Sequence, residues 1–500
     1  MMADLSELIF EKNVTQIQHA LRENRLTSVE LVEYYLHRIS VFDGILNSII
    51  TINPKALEQA AELDKKRKQG EYLGVLHGIP IVLKDNFDTY DLPTTSGAKA
   101  FEKLQPHKDA FIVDKLRKAG AIILAKTNLT EMANHGMTVS SAVGQTLNPY
   151  DLTRTPGGSS GGTGASITAN FAVMGTGSDT VNSIRSPASA NALVGIRASR
   201  GLVSRSGISP CSDLQDMVGP IARCVEDAAI MLSVISGYDH NDESTLPMKG
   251  KNVPDFTSGM KNYSLKNKRI CLVSNIAGSD PDVLRIVDNA VFSLRENGAE
   301  VIVREIEELY VPDLLKNNDV QLFEQKLCLD KYLSDCESRY SPIRSTEEYV
   351  GTGLLTPSIV DDMRKKSLIK DPDSSPEYIK RLSRNRKLKE FIEKYMKDNS
   401  IDAFMYPLQN VLPVRTDDKR GQTGRNGLIA SVTGLPAITV PGGFSKSDET
   451  ARIGVPIGIE FLSEIFTENK LIGIAYAFEQ ATKHRKPPIG FPDLAKIRSV

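Results

Sequence analysis

Five hundred residues, 40% hydrophobic and 25% charged, can bury a large core, and a formal net charge of −1 offers neither a basic excess for a polyanion nor an acidic tail. Five scattered cysteines (Cys211, Cys224, Cys271, Cys328 and Cys336) and seven scattered histidines show no metal-ligand spacing and no His-Glu-x-x-His pattern. This argues against a zinc centre and leads us to expect reduced thiols in a cytoplasmic protein.

The amino terminus, Met1-Met2-Ala3-Asp4-Leu5-Ser6-Glu7, has no basic start and no long apolar stretch, so neither a signal peptide nor a membrane span is expected. Residues 15–68 read as N-terminal helices. Thr27-Ser28-Val29-Glu30 is a capping signal ahead of Leu31, Val32, Tyr35 and Ile39 at helical spacing, and 56–68 forms a second amphipathic helix. From 74 to 240 short apolar strands alternate with Gly/Ser/Thr-rich loops and helices, for example a helix at 109–118 and a strand at 121–125. A strand at 268–273, a helix near 281–297 and a strand at 300–303 follow. Residues 305–400 are charged and helical, interrupted by a Pro/Ser/Asp loop at 370–376. Apolar strands return at 403–406, 437–440 and 457–461, before a last helix near 468–483.

Length alone suggests two to four domains. The strand pattern resumes after the helical layer, however, so one interrupted domain over 1–500 is expected. It would be α/β, with a central mixed sheet flanked by helices, a catalytic core at 74–240, a helical substrate-pocket insertion at 305–400 and a return to the sheet at 401–490. There is no internal repeat and no low-complexity tract.

Three segments carry chemistry. His77-Gly78-Ile79-Pro80-Ile81-Val82-Leu83-Lys84-Asp85-Asn86 ends an apolar run on a lysine. Thr155-Pro156-Gly157-Gly158-Ser159-Ser160-Gly161-Gly162 and Gly175-Thr176-Gly177-Ser178-Asp179-Thr180-Val181-Asn182-Ser183-Ile184-Arg185-Ser186-Pro187 place serines on small-residue backbone built for close approach. A serine hydroxyl needs a base, and a lysine serves as one only when burial or nearby positive charge lowers its pKa. One lysine and two serines therefore suggest nucleophilic catalysis without histidine. The competing readings are a surface lysine at a strand end, a phosphate cradle and an Asp-capped strand-to-helix turn. The cradle is disfavoured because the loop lacks the Gly-Lys-Ser/Thr ending of a P-loop.

These segments, with Gly434-Leu435-Pro436-Ala437-Ile438-Thr439-Val440-Pro441, resemble the amidase signature hydrolases over about residues 15–490. The resemblance implies a Ser–cis-Ser–Lys triad on a single α/β domain. Lys84 matches the family lysine, Ser159 the bridging serine entered by a cis peptide bond, and Ser183 the nucleophile. It implies an oxyanion hole of backbone N–H groups at Thr180, Val181, Asn182 and Ser183, with Ser160, Asp179 and Arg185 supporting the loops. Where the family usually carries Gly-Gly before the nucleophile, this chain has Val181-Asn182. Asn tolerates positive φ and Val does not, so the loop is expected to sit differently and crowd the substrate.

The leading expectation is an amidase acting on a carboxylic amide through a Ser183 acyl-enzyme. The alternative is the glutaminase component of a tRNA-dependent amidotransferase, and a third reading is a binding protein that has lost activity. The segment 475–488 is more like stand-alone amidases. No metal and no organic cofactor are expected. The expected partner is a small-molecule amide, with no nucleic acid and no membrane, and a homodimer is allowed for. Residues 305–400 and the loop His135-Gly136-Met137-Thr138 are expected to shape the acyl pocket.

Overall fold

A computed structural model describes residues 2–336 and 343–496. Thirteen strands occur among the described residues. In chain order they are β1 Ile49–Ile52, β2 Pro80–Lys84, β3 Ile122–Thr127, β4 Val139–Ser140, β5 Gly144–Gln145, β6 Met174–Asp179, β7 Val194–Arg197, β8 Met217–Ala222, β9 Arg269–Val273, β10 Glu300–Arg304, β11 Ala403–Pro407, β12 Ala437–Phe444 and β13 Pro456–Leu462. Eleven of them form one sheet in the order β1-β3-β2-β6-β8-β7-β12-β13-β11-β9-β10, and β4 and β5 pair separately. The sheet is mixed: β2 runs parallel to both β3 and β6, whereas β6, β8, β7, β12 and β13 alternate antiparallel. The expected α/β fold with a central mixed sheet is therefore the observed one.

Burial explains the strand composition. Every residue of β2, β3, β6, β8 and β13 is buried, because helices cover both faces. The helix Ser28–Leu46 starts where the capping signal placed it: Thr27 and Glu30 complete a reciprocal capping box. The helix Phe111–Lys118 starts two residues later than expected. Asp109 is withdrawn from the helix by accepting from the Tyr90 N–H and pairing with Arg117 at 2.9 Å.

The insertion contributes helices at Val311–Asn317, Gln321–Asp335, Thr346–Gly351, Val360–Ser367 and Pro376–Asp398. It is not a free-standing layer. Leu329, Leu333, Tyr349 and Met363 share an apolar cluster with Phe101, Leu104 and Met132 of the sheet-bearing part. Polar anchors fix it further. Glu131 accepts from the Tyr349 hydroxyl and from the Thr356 hydroxyl and N–H. Asn134 Oδ1 accepts from Lys366 Nζ at 2.6 Å and Gln321 Nε2 at 3.1 Å. The insertion thus meets the segment that follows β3, at Glu131 and Asn134.

Candidate active site

The parallel pairing of β2 with β6 sets Ile81 opposite Met174 and Val82 opposite Gly175, which brings the ends of both strands to the same edge. Gly175 permits this approach: a methyl group there would lie 2.8 Å from the Val82 carbonyl oxygen. Lys84 ends β2 and is fully buried. Its Nζ donates to Ser159 Oγ and to Ser178 Oγ, each at 2.7 Å, and Asn86 Nδ2 donates to the same Ser178 hydroxyl at 3.1 Å. The neighbouring Asp85 is turned to Lys126, 3.0 Å away, and among the described residues Lys84 has no carboxylate partner of its own. Burial therefore dominates and pulls the Lys84 pKa down to about 8, against the opposing pull of the Asp216 and Asp179 charges. Burial also pushes the nearby Cys211 thiol up to about 12, so it offers no thiolate at neutral pH.

Ser159 follows Gly157 and Gly158, and the Gly158–Ser159 peptide bond is cis. Both glycines are required by crowding. A methyl group at 157 would meet the Ser186 carbonyl oxygen at 2.8 Å, and one at 158 the backbone of Gly136 at 2.7 Å. Ser160 then opens the helix Gly161–Thr168. Its Oγ donates to the Ser178 carbonyl at 3.3 Å and its N–H to the Ser183 carbonyl at 3.3 Å, which ties the two serine-bearing segments together.

The turn Thr180–Ser183 has a distinctive polarity. Each of its carbonyls is held: Thr180 by Gln215 Nε2, Val181 by Arg185 and Ser431, Asn182 by the Ser186 N–H and Ser183 by the Ser160 N–H. Among the described residues none of its four N–H groups donates a hydrogen bond. Pinning the carbonyls outward leaves a run of open donors beside the Ser183 hydroxyl. Neither Val181 nor Asn182 adopts positive φ. Val181 and Asn182 are therefore accommodated without the left-handed backbone that favours glycine.

A buried ionic network lies beneath this turn. Arg185 bonds Asp179 in two places at 3.1 Å and Glu460 at 2.7 Å, and Arg197 reaches Asp179 at 2.9 Å. Tyr406 and Thr439 complete the Glu460 carboxylate, each at 2.9 Å. Burial raises the Asp179 pKa, but Arg185 and Arg197 outweigh it and hold the carboxyl at about 2. Removing one member strands a fully buried charge, so Arg185→Met should destabilise the protein by about 3–5 kcal/mol in a denaturant titration. A loss below about 1 kcal/mol, the range of surface pairs, would contradict this account.

The structure brings Lys84, Ser159, Ser160, Ser178, Asp179, Ser183 and Arg185 to one edge of the sheet. Lys84 and Ser159 are 0% exposed and Ser183 is 6% exposed, so of the three only Ser183 retains any exposure. Sequence reasoning missed Ser178 and Asn86, which share the lysine's hydrogen-bonding shell, and it missed Glu460 and Arg425. Glu460 had a signal, as the lone carboxylate within an apolar strand.

The family model described as Amidase matches residues 30–472. A probable amidase of Arabidopsis thaliana is 36% identical across 96% of this chain and 92% of its own length. A Glutamyl-tRNA(Gln) amidotransferase chain of Gloeothece citriformis is 32% identical across 95% of this chain and 99% of its own length. Among solved structures, the native peptide amidase from Stenotrophomonas maltophilia superposes with a TM-score of 0.87 at 33% identity, covering 96% of this chain and 98% of that one. Taken with the fold and the conjunction of lysine and serines at its edge, these likenesses establish that this chain belongs to the amidase family.

Proposed function

We propose that the chain is a self-contained amide hydrolase that cleaves a carboxylic amide, other than a peptide bond within a protein, to the acid and ammonia or an amine. The observation that carries this reading is the turn Thr180–Ser183, whose carbonyls are all held and whose N–H groups are, among the described residues, all free. Donors fixed in advance at the point where negative charge develops are worth about 3–4 kcal/mol each to an acyl transfer.

In this mechanism neutral Lys84 accepts the Ser159 proton while Ser159 accepts the Ser183 proton. Ser183 Oγ attacks the carbonyl carbon, and the open N–H groups receive the oxyanion. Among the described residues no hydrogen bond joins the Ser159 and Ser183 hydroxyls; that link belongs to the complex with substrate, where catalytic hydrogen bonds tighten. As the tetrahedral intermediate collapses, the C–N bond breaks, and Ser159 protonates the leaving nitrogen and recovers a proton from Lys84. Water then attacks the Ser183 ester and passes a proton through Ser159 to Lys84; as this second intermediate collapses, the C–O bond to Ser183 breaks, Ser159 protonates Ser183 Oγ and recovers the proton from Lys84, and the acid is released. Every proton is returned, so the cycle needs no further reactant. Ser160, Asp179 and Arg185 act by holding the loops.

The likeness to amidotransferase chains supports a second reading, a glutaminase that works in a complex. The test is hydrolysis by the purified lone chain against a panel of primary, aryl and alkyl amides, scored by ammonia or amine release. Turnover of any of them supports the hydrolase. A silent chain that releases ammonia from glutamine only when supplemented with partner proteins would replace this reading with the second.

A further inference from the structure

Several charges around the nucleophile turn are matched in pairs. Asp179 and Glu460 face Arg185 and Arg197, Asp85 faces Lys126, and Asp362 faces Lys366 at 2.6 Å. Among the described residues Arg425, like Lys84, has no carboxylate partner, while the Asp216 carboxylate is held by the Thr180 hydroxyl at 2.6 Å. Arg425 follows a glycine-containing loop and is half-buried, and among the described residues no carboxylate lies within 4.0 Å of it. Its single side-chain hydrogen bond among those residues runs from Nη1 to Asn182 Oδ1 at 3.0 Å.

The position of this guanidinium is closely defined. A methyl group at Gly136 would lie 2.2 Å from Arg425 Nη1, and Gly136 in turn packs against Gly158. Arg425 is therefore wedged between the segment that carries Ser159 and the turn that carries Ser183. Burial lowers its pKa to about 10, which still leaves it charged at neutral pH. Because Asn182 turns its oxygen to Arg425, its Nδ2 faces the other way, buried and, among the described residues, without an acceptor. The Arg425 guanidinium and the Asn182 amide thus offer donors beside the nucleophile, and among the described residues no carboxylate lies within 4.0 Å of Arg425.

Leaving a charge so placed without a counter-ion is costly unless a ligand completes it. A guanidinium fork matches a carboxylate in shape as well as charge. We propose that Arg425 is a specificity-determining residue of this site, which selects amides that carry a carboxylate a few bonds from the scissile carbonyl. The proposal rests on the amide-hydrolase reading and narrows it to a substrate class. Arg425 makes no proton transfer; it holds the substrate's carboxylate beside the turn.

Two matched pairs of substrates test this and locate the acid. Succinamic acid against butanamide places the carboxylate on the acyl side, and N-acetylglycine against N-ethylacetamide places it on the amine side. The wild-type enzyme should favour the acidic member of one pair in kcat/KM. Arg425→Met should lower kcat/KM for that acid roughly 10- to 100-fold, the worth of hydrogen bonds to a charged group, while the neutral member changes less than about threefold. Arg425→Lys should retain part of the preference, and guards against a folding defect in the methionine variant. Asn182→Gly should keep the acid preference; if it reproduces the Arg425→Met profile, Arg425 acts through Asn182 and the proposal fails. Equal losses for acidic and neutral members, or no acid preference in the wild type, also overturn it. Hydrolysis of the neutral members alone would leave the amide-hydrolase reading intact, whereas turnover of no amide at all would overturn both.

Discussion

Ser183→Ala should fold normally and lose on the order of 10⁶-fold in kcat, as expected when a covalent nucleophile is removed from a concerted set. The two halves of this expectation come from the same feature. The Ser183 hydroxyl makes no hydrogen bond among the described residues, and its residue is the one member of the three that is not sealed. Deleting it breaks no native contact, so stability should stay within about 0.5 kcal/mol of the parent. Ser159 and Ser160 differ, because the first is held by Lys84 at 2.7 Å and the second bonds the Ser178 carbonyl. A serine-directed fluorophosphonate should accordingly add one label, at Ser183, read by peptide mass spectrometry. A label at Ser160, or undiminished turnover in Ser183→Ala, would remove Ser183 from the role assigned to it.

Local sequence is a good guide wherever short-range rules decide the outcome. The capping box at Thr27 and Glu30 sets the start of a helix, and apolar runs bounded by glycines become buried strands. The glycine-flanked serines are legible for the same reason: only glycine tolerates the backbone contacts met at positions 157, 158 and 162, the last of which abuts the Asn128 carbonyl. Long-range pairing is not legible. Nothing local announces that β7 pairs with β12, which lies more than two hundred residues later, or that Glu460 in an apolar strand serves Arg185. The same holds for Arg425, whose contact with Asn182 spans 243 positions and emerges only when the sheet closes. At Val181-Asn182 the backbone conformation is likewise not legible from residue type: neither residue takes the positive φ that glycine would allow. The carbonyl partners around the turn, supplied by Gln215, Arg185 and Ser431, decide its conformation more strongly than the identity of its residues.

Lys84 should set the pH dependence of the enzyme. Its ordinary value of 10.5 is lowered to about 8, with burial as the main cause. The base must be neutral to accept the Ser159 proton, and a lowered pKa means that the neutral form is gained as pH rises. kcat/KM should therefore climb through an ionisation near pH 8 and level off above it. Asp216 opposes the shift, because its charge favours the protonated lysine. Asp216→Asn should consequently move the rising limb to lower pH. Lys84→Ala should cost about 10²- to 10⁴-fold in turnover, the range for a positioned general base. Lys84→Arg should be no better, since a guanidinium stays protonated and cannot take a proton from Ser159. Thermal unfolding of each variant separates lost chemistry from lost structure. A folded Lys84→Arg enzyme with near-native turnover, or a flat profile between about pH 7 and pH 9, would show that the proton leaves Ser159 by another route, with Lys84 reduced to a structural donor between Ser159 and Ser178.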